Sequence, residues 1–262
     1  MDEGLTCSVT SVMTWCVLLR PTNHSLSIGA VVDAASERAD SISPGKIVVI
    51  YGAGLGPAQL ILNQASNGQF GTGVGGTVVS FNGIAAPILY ASATAVAAIA
   101  PYAISGTTAQ VIVTYQGEAS AAFAVPVALS APSLFTSNET GSGQATAINT
   151  VDGTVNSAAN PVKIGDSILL YATGEGQTSP GGVDGKLGGP AATHPVLPLS
   201  VTIGGIKAVQ SAGGAPGQVA GLMMVNVQIP NGVQPGGYVP VVLQVGDAST
   251  TAGAVWIAVS GN

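Results

Sequence analysis

Ser167 and His194 are the residues whose types first suggest chemistry, because a serine hydrolase needs a nucleophile and a histidine within hydrogen-bond reach. Ser167 closes a Gly165-Asp166-Ser167 tripeptide that could serve as a nucleophile block. The chain has two histidines, His24 and His194, and neither lies in an Asp-x-x-His arrangement. We therefore predict no catalytic residue and keep a secreted hydrolase using Ser167 and His194 as a remote alternative.

Residues 52–57 read Gly-Ala-Gly-Leu-Gly-Pro and follow a run of Val and Ile, as a dinucleotide-binding turn does. That site requires Gly-x-Gly-x-x-Gly at the start of a helix. Here the sixth position is Pro57, and no helical pattern follows it. We interpret the segment as a turn between strands and predict no bound cofactor.

Four aspartates raise the possibility of calcium, which takes six to eight oxygen ligands from closely spaced groups. They are dispersed along the chain, at Asp152, Asp166, Asp184 and Asp247. The Asp-Gly pairs that begin at positions 152 and 184 are better explained as residues of turns than as calcium ligands. Two histidines and the cysteines at positions 7 and 16 make no zinc set, so no metal site is predicted.

Trp256 is the side chain with the strongest argument for contacting a ligand or partner. The alternate positions around it are Val and Ile and should face the core, so Trp256 should face outward with Ala254 and Ala258. An exposed aromatic ring can stack on a sugar or anchor a protein. The alternative is that it packs on the other domain or on the interdomain segment. Tyr51 and Tyr171, at matching repeat positions, are expected to be structural, with hydroxyls at the surface.

An internal repeat indicates which elements carry these residues. Residues 45–56 reappear as residues 165–176, so the Gly-Asp-Ser tripeptide and the glycine-rich turn fall at shared positions. Further parallels, residues 78–84 with 201–206 and 99–101 with 228–230, keep their order while the offset grows. Two copies of one fold with loop insertions explain this pattern.

Within each copy, short runs of Val and Ile alternate with Gly, Pro, Asn and Asp, which is typical of strands and turns. No amphipathic helix of useful length separates them, which excludes a parallel α/β sheet. The predicted fold class is all-β, with two tandem immunoglobulin-like β-sandwich domains joined by a short β-hairpin linker. The predicted boundaries are a leader at 1–27, domains at 28–129 and 161–262, and the interdomain hairpin at 130–160.

Composition limits the partners and the compartment. The 262 residues contain only 7% charged residues and a net charge of −6, with six basic residues and no cluster among them. The sequence offers no basic patch that could bind a phosphate backbone, so nucleic acid is excluded as a partner. The apolar stretch at 9–19 is short, follows Asp2 and Glu3, and makes neither a convincing signal peptide nor a membrane span. Both cysteines lie in the first sixteen residues, so the two predicted domains contain none, and cysteine-free, low-charge β domains fit bacterial export.

Six short segments in the same order resemble the tandem C-terminal module of secreted acidobacterial proteins, a family of unknown function. The halves of that module are similar to IPT/TIG-type immunoglobulin-like domains. The segments are residues 31–36, 42–52, 82–90, 131–136, 152–157 and 225–230. The resemblance runs from about residue 28 to the end and implies an extracellular tether or interaction unit. The chain departs from the family at 95–99, where Ala-Val-Ala-Ala-Ile replaces polar residues.

The sequence therefore predicts a non-enzymatic extracellular or cell-surface module for adhesion, spacing or self-association. Its expected partner is a protein or a cell-surface glycan, and self-association would use the sheet edges. A carbohydrate-binding module is the alternative, for which Trp256 and the glycine-rich loops at 52–57 and 174–190 are the motivation.

Overall fold

The structure is a computed structural model that describes residues 5–10, 13–18, 26–189 and 193–261. Every regular element in these ranges is a β-strand, so the all-β prediction is confirmed. The strands of the first half are β1 (Leu5–Thr10), β2 (Met13–Leu18), β3 (Ser27–Asp33), β4 (Ile47–Ala53), β5 (Ile61–Leu62), β6 (Gly73–Val74), β7 (Thr77–Phe81), β8 (Ile84–Ala85), β9 (Ile88–Ala91), β10 (Ala95–Ile99), β11 (Thr108–Tyr115), β12 (Glu118–Ala119) and β13 (Phe123–Pro126).

The second half has a similar series of strands, several of them only two residues long. They are β14 (Ser133–Leu134), β15 (Gly143–Gln144), β16 (Ala147–Asn149), β17 (Val162–Lys163), β18 (Ser167–Thr173), β19 (Thr178–Ser179), β20 (His194–Pro195), β21 (Leu199–Ile203), β22 (Ile206–Lys207), β23 (Gln210–Gly214), β24 (Met223–Gln228), β25 (Gly236–Val245), β26 (Ala248–Ser249) and β27 (Val255–Ser260).

Each half is a sandwich of two sheets around its own core. In the first, the sheet β3-β4-β10-β9-β5 faces the sheet β12-β11-β7-β6, with β8 and β13 paired at its side. In the second, β14-β18-β24-β23 faces β15-β27-β25-β21-β22. The two large clusters of buried side chains lie one in each half, and a third, small cluster of Val32, Val49 and Ala97 lies on the other face of the β3-β4-β10-β9-β5 sheet. Immunoglobulin-like architecture is thus confirmed for the chain.

Alternation of side chains explains why these segments are strands. On β11, Ala109, Val111 and Val113 are buried while the residues between them are not. Gln116 and Gly117 both have positive φ, at 50° and 89°, and turn the chain from β11 into β12. Positive φ at both central residues gives a turn whose twist matches that of the flanking strands.

The repeat found in the sequence is visible in the strand pairing. β4 pairs antiparallel with β10, and its counterpart β18 pairs in the same way with β24. β7 pairs with β11, and β21 pairs with β25. The shared positions of the repeat therefore correspond to strands with the same neighbours.

The segment predicted as an interdomain hairpin is built largely into the second sandwich. Its Asp152-Gly153 turn is present, with the N–H of Asn149 donating to the carbonyl of Thr154. However, β14 and β16 both pair with β18, and β15 pairs with β27. The backbone groups of the segment find their partners on the second sandwich because its edge strands offer unpaired N–H and C=O groups.

The predicted leader contains β1 and β2, which pair antiparallel with Cys7 opposite Cys16. His24 lies outside the described residues. In the ranges that the structure describes, no helix is long and apolar enough to cross a membrane.

Candidate functional site

A groove of about 1290 Å³ runs between the two sandwiches. Its floor is the outer face of the sheet that contains β4, β9 and β10, where Val49 and Ala97 lie on the side away from the core. The second half and residues 135–139 supply the other wall. A groove of this size, lined mainly by apolar and aromatic side chains with a few polar groups, is the candidate binding site.

Two tyrosines stand on the floor with alanines between them. Tyr51 on β4 is opposite Ala95 on β10, and Tyr90 on β9 is opposite Ala97 on β10. The Cα atoms of the two tyrosines are therefore two inter-strand spacings apart across the sheet, about 10 Å, and displaced by two residues, about 7 Å, along it. Ala97, on the strand between them, is only 3% exposed, whereas Tyr51 is 39% exposed, so the tyrosines and not the alanine supply the accessible surface here.

The facing wall brings a second pair of aromatic rings to the groove. Phe135 donates its backbone N–H to the carbonyl of Tyr171, which places both residues at the same level of the wall. Leu187 and Leu222 line the wall beyond them. Tyr51 and Tyr171, which occupy matching positions of the repeat, thus face one groove from its two sides.

The charged groups of the groove are both acidic. Tyr51 donates its hydroxyl to the carboxylate of Glu37 at 3.1 Å. Burial, and then the hydrogen bond to Glu37, raise the pKa of Tyr51 to about 12. Burial also raises the pKa of Tyr90, with Glu37 and Glu139 adding to the effect. Both tyrosines are therefore neutral hydroxyl groups at physiological pH, beside two exposed carboxylates.

The two sandwiches contact each other along a line that we call the seam. Hydrogen bonds across the seam hold the two walls of the groove in place relative to each other. The N–H of Phe70 donates to the carbonyl of Gly185, and the N–H of Leu187 donates to the carbonyl of Gly68, both at 2.8 Å. Next to them, Gln69 donates through its side chain to the carbonyl of Asp184 at 2.7 Å. A β-like strip therefore joins the two halves at one end of the groove.

Tyr102 of the first half forms hydrogen bonds with residues of the second half at the seam. Its N–H donates to Oδ1 of Asp184 at 2.8 Å, and its carbonyl accepts from Nε2 of Gln177 at 2.6 Å. Its ring lies over Gly45 and Gly182, where any Cβ would overlap the ring atoms. Burial raises the pKa of Tyr102, with Glu175 and Asp184 adding to the rise. Tyr102 of the first half is thus enclosed by residues of the second.

Glu175 is a buried carboxyl group beside this seam. Its exposed fraction is 1%, and neither of its carboxylate oxygens has a hydrogen-bond partner within the described chain. Burial alone raises its pKa to about 7. The segment around it packs tightly, because a Cβ at Gly174 would overlap the carbonyl of Ala131 and one at Gly176 would overlap that of Leu129. An unpaired carboxyl held this deeply is protonated in mildly acidic solution.

A buried ion pair supports the floor from below. Nζ of Lys46, directly before β4, lies 2.6 Å from Oδ2 of Asp33 at the end of β3, and the Lys46 side chain is 1% exposed. Oδ1 of Asp33 accepts the N–H groups of Ala35 and Ser36. The pair fixes the loop that presents Glu37 to the groove.

Trp256 lies outside the groove, on β27. Its neighbours Val255 and Ile257 are buried in the core, whereas Trp256 is half-buried and contacts Tyr238 edge to face, with ring centroids 5.5 Å apart. Tyr238 is 79% exposed. The outward orientation of Trp256 agrees with the sequence, and its role as a contact residue stays a prediction.

Ala258 was expected to face outward with Trp256, and that expectation is wrong. The residue is buried because Asn156 covers it, donating to its carbonyl and accepting from its N–H. Gln144 pairs with Trp256 across the parallel β15–β27 contact. Residues 144–156 therefore cover part of the face that the sequence assigned to solvent.

Ser167 and His194 are not brought together. Ser167 pairs with Gln228, while Nδ1 of His194 contacts the carbonyl of Ala212, which is opposite Val225. Ser167 on β18 is therefore separated from the Ala212 position on β23 by three residues along the strands, about 10 Å, and by two inter-strand spacings, about 10 Å more. The geometry therefore offers no Ser–His hydrogen bond for the hydrolase alternative.

The aspartates also remain separate. Asp152 accepts from Thr154 in a turn, and Asp184 accepts from Tyr102 in the seam. The part of the chain that the structure describes contains no group of three or more His, Cys, Asp or Glu side chains placed to hold a metal ion.

Gly52 and Ala53 are the last residues of β4, and residues 54–57 turn the chain after it. Gly52 has no room for a Cβ beside the carbonyl of Ser27, and Leu55 is buried in the first core. Since a strand, β5, comes next, the segment presents no helix N-terminus to a phosphate.

Comparisons with known proteins identify one domain. Residues 35–129 match the IPT/TIG domain family model, so the first half carries an IPT/TIG domain. No curated protein matches the chain. Acidobacterial origin remains a prediction from the sequence resemblance.

Solved structures with low scores span both halves. SGBP-B of the Bacteroides ovatus mixed-linkage glucan utilization locus, in complex with a mixed-linkage heptasaccharide, is 13% identical with a TM-score of 0.39, covering 95% of this chain and 50% of that one. Two structures of the Plexin A4 full extracellular region are each 12% identical, with TM-scores of 0.30 and 0.29. They cover 93% and 94% of this chain and 20% and 18% of the plexin chains. The chain thus spans half of the SGBP-B chain and a fifth or less of the plexin chains.

Sequence reasoning identified one aromatic residue on each side of the groove but missed the groove itself. Tyr90, Phe70 and Phe135 line it and were not singled out. The one available signal was the recurrence of tyrosine at positions 51 and 171, which marks a shared orientation but gives no information on how the two halves meet.

Proposed function

We propose that this chain is a non-enzymatic interaction module of an extracellular or cell-surface protein, and that it binds its partner in the groove between the two sandwiches. One observation supports this most directly: both halves contribute aromatic side chains to a single groove whose walls are held by seam hydrogen bonds. A preformed site of this kind avoids much of the ordering entropy of binding. The IPT/TIG domain at residues 35–129 is consistent with a binding module.

A binding screen with a groove variant tests this proposal. Wild type and the double variant Tyr51→Ala/Tyr171→Ala are compared against immobilised extracellular proteins and polysaccharides, and self-association is followed by analytical ultracentrifugation. We expect at least one interaction that the double variant loses. A matched control is Tyr238→Ala, which removes an exposed tyrosine outside the groove. Binding that is unchanged in the groove variant would contradict the proposal.

The enzymatic alternative is tested in parallel with ester and glycoside substrate panels. We expect no turnover by wild type. Turnover that Ser167→Ala or His194→Ala abolishes would contradict a non-enzymatic function.

A further inference from the structure

We propose that the interdomain groove binds a neutral oligosaccharide chain, a ligand class that rests on the proposed function of the groove as a binding surface. The carbohydrate-binding alternative drawn from the sequence concerned Trp256. The groove is a different site, built from side chains of both halves.

The floor of the groove excludes recognition through backbone pairing. It is the face of a sheet, and β4, β10 and β9 are interior strands of the order β3-β4-β10-β9-β5. Their N–H and C=O groups are already used in the ladders on both sides. An extended peptide added as a strand needs an open sheet edge, whereas the floor presents only side chains.

The side chains of the floor suit a ligand with alternating apolar and hydroxyl surfaces. Tyr51 and Tyr90 stand on the floor of the groove, and Phe135 and Tyr171 line its other side. The C–H face of a pyranose ring is apolar and stacks on an aromatic ring, while its hydroxyl groups point outward at the rim. Tyrosine offers an apolar ring and a polar hydroxyl in one side chain.

The polar groups at the rim fit hydroxyl groups. Glu37 and Glu139 provide carboxylate acceptors, while Gln64 and Gln218 provide both amide donors and acceptors. All four side chains are exposed. Sugar hydroxyls both donate and accept hydrogen bonds, so they can use every one of these groups.

The charge of the groove selects against ionic ligands. No Lys, Arg or His is among the groove-lining residues of the described chain, and the two charged residues are both glutamates. An acidic polysaccharide or nucleic acid would meet like charge without compensation. A basic peptide would find carboxylates only at the exposed rim, because the floor of Ala, Val, Leu and aromatic side chains cannot compensate a buried charge. The chain that lies along the floor must therefore be uncharged.

Affinity gel electrophoresis and isothermal titration calorimetry test this proposal with defined probes. The neutral probes are soluble β-glucan, xylan, mannan and starch; the ionic probes are polygalacturonate, heparin and a lysine-rich peptide. We expect wild type to bind at least one neutral polymer. Tyr51→Ala and Tyr90→Ala should each weaken that binding about tenfold or more, because each variant removes an aromatic ring that contacts the ligand at the centre of the site.

Control variants localise the binding. Tyr238→Ala and Trp256→Ala alter aromatic residues outside the groove and should leave the affinity unchanged. Gln64→Ala and Gln218→Ala change exposed rim residues, so they keep the test valid if a tyrosine variant fails to fold. At least one of them should reduce the affinity.

The other outcomes overturn the proposal in distinguishable ways. Glycan binding lost in Trp256→Ala but retained in the groove variants would place the site on β27. Binding of the lysine-rich peptide or of a polyanion in the groove, with no neutral glycan bound, would overturn the ligand class but leave the groove as a binding surface. If none of the probes binds, the ligand class is overturned, and the protein and self-association arms of the preceding screen then decide the proposed function.

Discussion

Oγ1 of Thr173, at the end of β18, accepts the backbone N–H of Ile47 at 3.0 Å and donates to the carbonyl of Gly221 at 2.8 Å. One buried hydroxyl thus joins the first strand residue of β4 to the second sandwich. Ile47 is also part of the groove floor. The hydrogen bonds of Thr173 therefore couple the seam to the candidate site.

Replacing that hydroxyl should weaken the seam. Thr173→Val keeps the shape of the side chain but leaves the buried N–H of Ile47 and the carbonyl of Gly221 without this partner. We expect a loss of about 2–6 kcal/mol in the free energy of unfolding, because two buried groups are left unsatisfied and each costs about 1–3 kcal/mol. Chemical denaturation measures it. Thr173→Ser, which keeps the hydroxyl, should lose clearly less; equal losses would show that the hydrogen bonds contribute little.

Close approach of backbones across the seam gives a second prediction. Gly221 has φ of 101°, and a Cβ there would overlap the carbonyl oxygen of Gly45. Gly221→Ala should therefore force the halves apart and lower the melting temperature. Gly165→Ala is the matched control, since Gly165 has φ of 88° and a Cβ there would meet no atom within 4 Å. It carries the backbone strain without the clash, so the two variants should differ in melting temperature and in small-angle scattering.

The buried ion pair under the floor gives a third prediction. Lys46→Met removes the partner of a carboxylate that is fully buried, and we expect a loss of about 3–5 kcal/mol in the free energy of unfolding. Asp33→Asn/Lys46→Met removes both charges, and Asn can still accept the N–H groups of Ala35 and Ser36 through its side-chain oxygen. The double variant should therefore be more stable than Lys46→Met in equilibrium denaturation. The reverse order would contradict this account of the pair.

Glu175 gives the fourth prediction, a dependence of stability on pH. Its pKa is raised from 4.5 to about 7 by burial, so between these values the folded state holds a proton that the unfolded state has released. Stability should be fully present below pH 4.5, fall as the pH rises, and reach its full loss of about 3 kcal/mol above pH 7. The titratable groups facing this region are Tyr102 and Asp184.

Glu175→Gln isolates this contribution, because the amide does not titrate. The difference in unfolding free energy between wild type and Glu175→Gln should change between pH 4.5 and 7, in favour of the variant at the higher pH. Denaturation curves recorded at several pH values measure this difference. A difference that is constant across the window would show that Glu175 does not hold a raised pKa in the folded protein.

The sequence determined the sandwich architecture because its signals are local. Alternation on β11, the positive-φ turn at Gln116 and Gly117, and the Asp152-Gly153 turn each depend on a few adjacent residues. The orientation of Trp256 followed from the same alternation. The repeat then extended the prediction from one half to the other without any knowledge of contacts between them.

The tertiary structure alone decided how the halves meet, and with it the site. Tyr90 and Phe135 become neighbours of one groove only when irregular segments near residues 68–70 and 185–187 pair across the seam. Such pairing has no periodicity in the sequence, because its hydrogen bonds join loops that are far apart along the chain. The burial of Glu175 without a hydrogen-bond partner could not be predicted from the sequence either, because it depends on packing between distant segments. Local alternation specifies which face of a strand is buried, but only long-range docking specifies what that face is buried against.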